Sequence, residues 1–523
     1  MTDSPLLLSI DHGTQSARAL LFDLDGNLVA KSKVAIEPYF SAQPGWAEQH
    51  VDVFWGAVCQ ACNELWASSG IDRARIRGVA LTTQRTTMVN LDANGEPLRP
   101  AIVWLDQRQA TNLQPMPFWA ETMFRALGER DTLNYFRTQA ECNWILQHQP
   151  DIWRRTDKYL LLSGFLTWKL CGAFVDSVAS QVGYLPFDFK RRDWAGHTDP
   201  LNSWKWQALC VHRRQLPDLV QPGHELGAIT RQASEATGIP VGLPLISAGA
   251  DKACEVLGSG VLAPDTGAIS YGTTATFNTC NGKYVEAVRF IPPYPAAVPG
   301  CYNTEQMVQR GYWMVQWFKQ EFAQKEMLAA EELGVETEAL LEKLLDEVPP
   351  GAMGLMLQPY WSPGVRIPGP EAKGAMIGFG DVHTRSHIYR AIIEGIAYAL
   401  REAKERVEKR NGVKIRRVRV AGGGSQSDAA MQITADIFGV PAERPHVYEA
   451  SGLGAAINCA VGLGLHPDYD TAVRRMTRVG RVFEPMPQNA RLYDRLFRHV
   501  YTPLYERLAP LYRDIRRITG YPA

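Results

Sequence analysis

The chain has 523 residues, too many for one ordinary hydrophobic core, so two large domains are expected. Its 46% hydrophobic and 21% charged content is that of a globular protein. Lys plus Arg (55) balances Asp plus Glu (55), which leaves no basic footprint for nucleic acid and no polycationic membrane patch.

The N-terminal stretch MTDSPLLLSID lacks a basic segment and its apolar run stops at Asp11, so it does not read as a signal peptide. No run approaches the roughly 18 apolar residues that cross a bilayer. Nine cysteines, scattered and odd in number, suit a reducing cytosol, and a cytoplasmic location is expected. LLLSID (6–11) reads as a strand ending in a polar turn, and residues 17–34 as a hairpin about Asp25-Gly26. An amphipathic helix is predicted from Val51 to Trp66, which makes Cys59 and Cys62 core cysteines and not a metal or redox pair. Strand signals follow at 78–84, 88–92 and 101–106, with a second Asn-Gly turn at 94–95. Three strands followed by alternating helix and strand indicate a mixed α/β sheet.

The second half replays part of this order. TGAISYGTTATFNTC (266–280) is β-rich about a small polar turn, helices are predicted near 305–323 and 384–410, and a strand at 416–424. The Gly- and Pro-rich stretch 257–267 marks the boundary, giving domains 1–257 and 258–523 with a cleft between them. Residues 491–518 carry apolar side chains at helical spacing and read as packing helices.

Three elements have the chemistry of an anion site. In DHGTQSAR (11–18) a strand ends in Asp11, turns through Gly13, and presents Thr14, Gln15 and Ser16 before Arg18. Small residues admit backbone amides close to an anion, and a carboxylate there can hold a metal or its water. Taken alone the segment is equally a plain hairpin tip. SYGTTATF (270–277) repeats the form with Gly272, Thr273 and Thr274, so two turns face one cleft. In AGGGSQSDAAMQITADIFGVP (421–441) three glycines end a strand and open a helix, which suits close approach by a nucleotide. A Rossmann fingerprint and a Walker A motif are both absent, since Lys283 is followed by Tyr284. LPLISAGADKACEVLGSG (243–260) ends an apolar strand at Asp251, which could accept a proton from an attacking hydroxyl or serve as a helix cap.

In this order the segments resemble the FGGY carbohydrate kinases, of the actin and hexokinase structural superfamily. The resemblance runs through residues 82–108, 165–180, 243–260, 373–402, 421–441 and EASGLGAA (449–456). It implies two ribonuclease H-like, actin-like ATPase domains whose mixed sheets are flanked by helices, and an enzyme that phosphorylates a sugar or polyol with ATP and Mg2+. It also implies roles: Asp251 as base, Asp11 near the metal, and Thr14, Gln15, Ser16 and Arg18 toward the phosphates. Gly272 and Thr273 match the second phosphate turn, and Gly422, Gly423, Gly424 and Ser427 the adenosine segment, with a looser match at Gln316. Gln84, Arg85, Trp104, Asp106 and Arg108 fall on substrate-contacting segments, although Trp104 could equally end a strand in the core.

Glycerol kinases carry Gln-Arg-Glu-Thr where this chain has Gln84-Arg85-Thr86-Thr87, and xylulokinases a Met-His pair. Lys252 stands where glycerol kinases have Gln, and its ammonium would lower the pKa of Asp251 if it points inward. A ketopentose is the first acceptor expected, then another polyol or a hexulose, then glycerol. An ATPase switch or a sugar-sensing binding protein is the rival of another class, and would not need Trp104, Asp106, Arg108 and Asp251 together. A homodimer is common in similar enzymes.

Overall fold

The computed structural model describes residues 4–199, 202–364 and 368–521. Strand β1 (Leu6–His12) is buried at every position, as its unbroken apolar run requires of a central strand. It pairs antiparallel with β2 (Ser16–Phe22), and β2 with β3 (Leu28–Ala35) through the Asp25-Gly26 turn, where Gly26 takes φ 73°. Helix α1 (Val51–Ser69) buries Phe54, Val58, Cys62 and Leu65. Of the two cysteines expected in the core, Cys62 is buried and Cys59 half-buried; burial pushes the Cys59 thiol up to about 11, and Cys62 higher still, so neither is an activated thiol. Strand β4 (Ile76–Thr83) runs parallel to β1, and β5 (Glu225–Ala228) and β6 (Pro244–Ile246) complete the order β5-β6-β4-β1-β2-β3. Helix α2 (Asp251–Gly258) follows.

The second sheet is built on the same central pattern. Strand β7 (Thr266–Tyr271) pairs antiparallel with β8 (Ala275–Asn281), which is flanked in turn by β10 (Tyr302–Val308) and the short β9 (Tyr294–Pro295). Helices α3 (Trp313–Phe322), α4 (Thr337–Asp346) and α5 (Arg385–Asn411) come next. On its other side β7 runs parallel to β11 (Arg417–Ala421). Helix α6 (Asp428–Phe438), β12 (Ala442–Pro445), α7 (Ala450–Gly462) and β13 (Val479–Phe483) complete the order β9-β10-β8-β7-β11-β12-β13. In the C-terminal helices Tyr493, Phe497 and Tyr501 are buried, the packing role expected of them. Among the described residues no helix is long and apolar enough to cross a membrane.

Two expectations fail locally. The helix predicted over 305–323 is a strand to Val308 and a helix only from Trp313, because β10 pairs with β8 along its whole length. The strand predicted over 101–106 stops at Ile102, within a separate four-stranded sheet. There Val103 donates its amide to Ala47 and the chain turns at Asp106.

The halves meet through α2 and α7, which pack backbone to backbone. A Cβ on Gly258 would lie 1.9 Å from the Ala450 carbonyl oxygen, and one on Gly454 1.9 Å from that of Cys254. Helix α7 belongs to the second half in sequence yet rests on β1 and β4 of the first sheet.

Gly454→Ala is therefore expected to lower the melting temperature, losing about 2 kcal/mol to overpacking although alanine is the better helix former. Gly56→Ala, on the exposed side of α1 with nothing within 4 Å, is expected to leave the melting temperature unchanged or raise it. Thermal unfolding of the two variants side by side checks the contrast.

Candidate active site

The turn after β1 is organised by hydrogen bonds from three segments. Gly13 donates its amide to the Ser16 carbonyl at 3.0 Å, closing the turn. The Thr14 hydroxyl donates to Gln84 Oε1 at 2.9 Å and accepts from the Trp104 indole at 2.8 Å. Trp104 is exposed, so it is no core residue; it lies against the turn. Gln15 is exposed and Ser16 is buried at the start of β2.

Asp11 is buried at the end of β1 and accepts from Arg18 through Oδ2 at 3.0 Å. Arg18 also lies 3.4 Å from Glu449, which immediately precedes α7 and pairs with Lys31 at 3.5 Å. Burial pushes Asp11 up to about 6 against the opposing pull of Arg18, and the charges of Asp251 and Glu449 add to the rise. Beside it His12 donates through Nε2 to the Phe54 carbonyl (3.2 Å); burial lowers its pKa to about 4, so the ring is neutral at pH 7.

Asp251 is the first residue of α2, with Ala250 in the capping position, and its Oδ1 accepts the Lys252 amide at 2.7 Å. Arg85 Nε lies 4.0 Å from the same oxygen. Burial raises the Asp251 pKa, and this outweighs the lowering by Lys252 and Arg85. Lys252 sends its ammonium to Glu255 Oε2 at 2.6 Å and to Ser270 Oγ, at the end of β7, at 2.7 Å. Helix α2 is thereby tied to the strand of the second turn. The loop before Asp251 is braced from behind: the Ala250 amide donates to Ala179 at 3.1 Å, and the Ser177 hydroxyl to Ala248 at 2.8 Å. Buried Asp176 holds that brace, accepting from Ser163 at 2.7 Å and Gln181 at 2.8 Å.

In the second turn the carbonyls of Gly272 and Thr273 accept from Tyr312 (3.0 Å) and Trp313 (3.3 Å), which fixes it to the start of α3. Thr273 is exposed, as is Gln316 on α3. The glycine run does not open a helix directly. Residues Gly423–Gln426 form a 3-10 turn and α6 starts at Asp428. Ser427 caps that helix, and Glu342 of α4 accepts from Ser427 Oγ at 3.2 Å and the Ala429 amide at 2.8 Å. Gly422 and Gly424 are required by packing: their Cβ atoms would meet the Tyr271 backbone at 2.8 Å and the Tyr312 ring at 2.1 Å. Gly423 alone of the three is exposed, and a Cβ on it would lie 3.6 Å from the Tyr448 hydroxyl, an ordinary contact.

Asp106 and Arg108 are brought together, but with each other. Arg108 donates to Asp106 at 2.8 and 2.6 Å and to Glu48 at 2.9 Å, and its guanidinium lies over Trp46 and Trp144. Asp106 also accepts the Ala47 amide at 2.6 Å. Both side chains are buried and brace the loop that presents Trp104, instead of facing the cleft.

Sequence reasoning missed Glu449, Glu305 and Tyr294. Glu449 lay within a segment singled out for its glycines; Glu305, hydrogen-bonded to Arg85 at 3.0 Å, had no local signal. Among the described residues no three His, Cys, Asp or Glu side chains gather to hold a metal by themselves. A metal ion here would draw most ligands from phosphate and water, the habit of magnesium, and the buried carboxylate of Asp11 fits that arrangement.

Comparison with known proteins agrees with this geometry. Residues 6–258 match the N-terminal domain, and residues 267–463 the C-terminal domain, of the FGGY family of carbohydrate kinases. The chain is 32% identical to the uncharacterized sugar kinase YgcE of Escherichia coli (strain K12), over 95% of this chain and 93% of that protein. It is 27% identical to the xylulose kinase of Lactococcus lactis, over 94% and 95% of the two chains. The crystal structure of xylulose kinase from Rhodospirillum rubrum superposes with a TM-score of 0.80 at 25% identity, covering 97% of this chain and all of that one (100%).

Arg18 is the cation that makes two buried carboxylates tolerable. Arg18→Met is expected to lower stability by about 3 kcal/mol at pH 7.5, because one partner of a buried pair is removed. Without Arg18 the folded pKa of Asp11 rises further above its unfolded value. The loss is then full at high pH and shrinks as pH falls through about 6 and Asp11 protonates. Denaturant unfolding of the variant and the parent at two pH values, 7.5 and 5, checks the sign.

Proposed function

Because the chain belongs to the FGGY family of carbohydrate kinases, we propose that it transfers the γ-phosphoryl group of ATP to a hydroxyl of a ketopentose, with Asp251 as general base. Asp251 carries this assignment: it heads α2 at the cleft, its pKa is raised by burial, and its neighbour Lys252 bonds the strand of the second turn. A carboxylate with raised proton affinity is the better acceptor for an alcohol proton.

The phosphates would lie between the two turns, met by Thr14, Gln15, Ser16 and Arg18 on one side and by Gly272 and Thr273 on the other. Exposed Gly423, with Gln316 and the capping residue Ser427 near it in the second half, supports an adenosine site there. Mg2+ at Asp11 would supply charge neutralisation of the polyphosphate when bound. Trp104 and Gln84, joined through Thr14, together with Arg85, would form the acceptor side, and Asp106 and Arg108 would hold the Trp104 loop in place. Asp251 would take the proton of the attacking hydroxyl as the halves close and exclude water.

The ketopentose is supported by the near full-length similarity to xylulose kinases. Against glycerol stands Thr86, at the place where glycerol kinases carry a carboxylate. Thr86 takes φ 53° and gives its hydroxyl to the Val182 carbonyl at 3.1 Å.

A coupled ADP-release assay with Mg-ATP against ketopentoses, ketohexoses, polyols and glycerol tests the reading. Turnover is expected with ketopentoses and is expected to fall by about 10²- to 10⁴-fold in Asp251→Asn, with ATP affinity little changed. Full activity in that variant overturns the base, and ADP release independent of any sugar overturns the kinase assignment.

A further inference from the structure

At the acceptor end of the cleft the second half sends one buried acidic side chain toward the first. Glu305 stands on β10, and its Oε1 accepts from Arg85 Nη2 at 3.0 Å, with only 3% of the Glu305 side chain and 16% of the Arg85 side chain exposed. Arg85 follows β4 and is aimed by Gln84, whose amide donates to His12, and by Thr86, held at φ 53°. Its guanidinium lies over the Tyr294 ring at 5.5 Å, and its Nε lies 4.0 Å from Asp251 Oδ1. Of the acidic groups around Arg85, Glu305 acts on it most strongly, ahead of Asp251. The space enclosed beside Arg85, Lys252, Asn278, Tyr294 and Glu305 is a cavity of about 10 Å³, no more than one water molecule.

We propose that Glu305 is a positioning residue for phosphoryl transfer: by ion-pairing with Arg85 it holds the guanidinium off Asp251 and links acceptor binding to closure of the second half. The proposal rests on the assignment of Asp251 and Arg85 to the acceptor site. A guanidinium beside two carboxylates is shared between them, and the one that makes the direct hydrogen bond sets its position. With Glu305 neutral, Asp251 is the nearest remaining carboxylate, because Glu255 is occupied by Lys252. Arg85 then closes onto Asp251 and occupies the oxygen that must take the hydroxyl proton. The cavity admits no sugar, so an acceptor reaches Arg85 there only when the halves part, and the pair re-forms as they close around it.

Glu305→Gln, which keeps the shape, tests this on the acceptor found in the panel. The expected result is a loss of about tenfold or more in kcat/KM for the acceptor, with the KM for ATP little changed. In an Arg85→Met background the same substitution is expected to add nothing, a readout that a merely structural role would not give. Acceptor kinetics like the parent's in a folded Glu305→Gln protein, or an undiminished loss in the Arg85→Met background, overturns the proposal. Should Glu305→Gln not fold, Glu305→Asp, with the carboxylate drawn back by one methylene, carries the same expectation with a smaller loss. A measurement without turnover stands beside these. Phenylglyoxal modification of the peptide containing Arg85, followed by mass spectrometry, is expected to run faster in Glu305→Gln with Asp251→Asn, where neither carboxylate is left, than in Glu305→Gln alone, where Asp251 takes the guanidinium over; equal rates in the two overturn that exchange. Activity retained in Asp251→Asn instead defeats the parent assignment and leaves the labelling result to judge Glu305.

Discussion

The contact on which the site depends is the backbone-to-backbone approach of α2 and α7. Gly258 and Gly454 let each helix reach a carbonyl of the other, where any side chain would have to push the pair apart. The two helices come from different halves of the chain and run antiparallel, so the C-terminal end of α2 meets the N-terminal end of α7. One begins with Asp251 and the other follows Glu449. Helix N-termini carry partial positive charge, which favours acidic groups there. The glycine contact thus sets how far apart Asp251 and Glu449 stand, and no surface loop could do so as firmly.

Bringing these groups together creates an electrostatic problem that the sequence solves with cations from other elements. Asp11, Asp251, Glu255, Glu305 and Glu449 face Arg18, Arg85, Lys31 and Lys252. Several of these pairs cross from one half to the other: Arg18 to Glu449, Lys31 to Glu449, Arg85 to Glu305, and Lys252 to Ser270. Buried pairs of this kind add little net stability, since desolvation offsets much of the attraction. They do fix geometry, and they can be exchanged. On the proposed reading, a polyphosphate between the turns would compete with Asp11 and Glu449 for Arg18, so the same contacts that hold the halves together would report on what lies between them.

Much of this was legible locally. The Asp25-Gly26 hairpin, the amphipathic α1 and the repeated strand–turn–strand around Asp11 and Gly272 follow from turn chemistry and periodicity alone, and the structure places them as expected. The strand over 302–308 was misread because its apolar neighbours 312–318 have helical spacing, while its own identity comes from pairing with β8, adjacent in space though separated in sequence. Glu305 was invisible for the same reason. Asp106 and Arg108 stand at the right place in the chain, but the partners that turn them inward, Glu48 and Trp144, lie far off along the sequence on either side. The glycine run shows the converse error. Its composition suggested an open phosphate or nucleotide turn, yet two of the three glycines are there to let Tyr271 and Tyr312 pack.

Acceptor identity is the least local property of all. The small space beside Arg85 holds about one water, and its walls, Arg85 and Lys252 with Tyr294 and Glu305, belong to both halves. On the proposed reading, selection would occur as the cleft closes, when an acceptor would either allow Arg85 and Glu305 to meet or hold them apart. Discrimination of this kind uses binding energy to assemble the catalytic arrangement, and it rejects a poor acceptor through slow turnover more than through weak binding. Residues that never touch the reacting oxygen, such as those bracing the Trp104 loop and the Asp176 network behind Ala250, consequently bear on specificity by limiting how far each wall can shift.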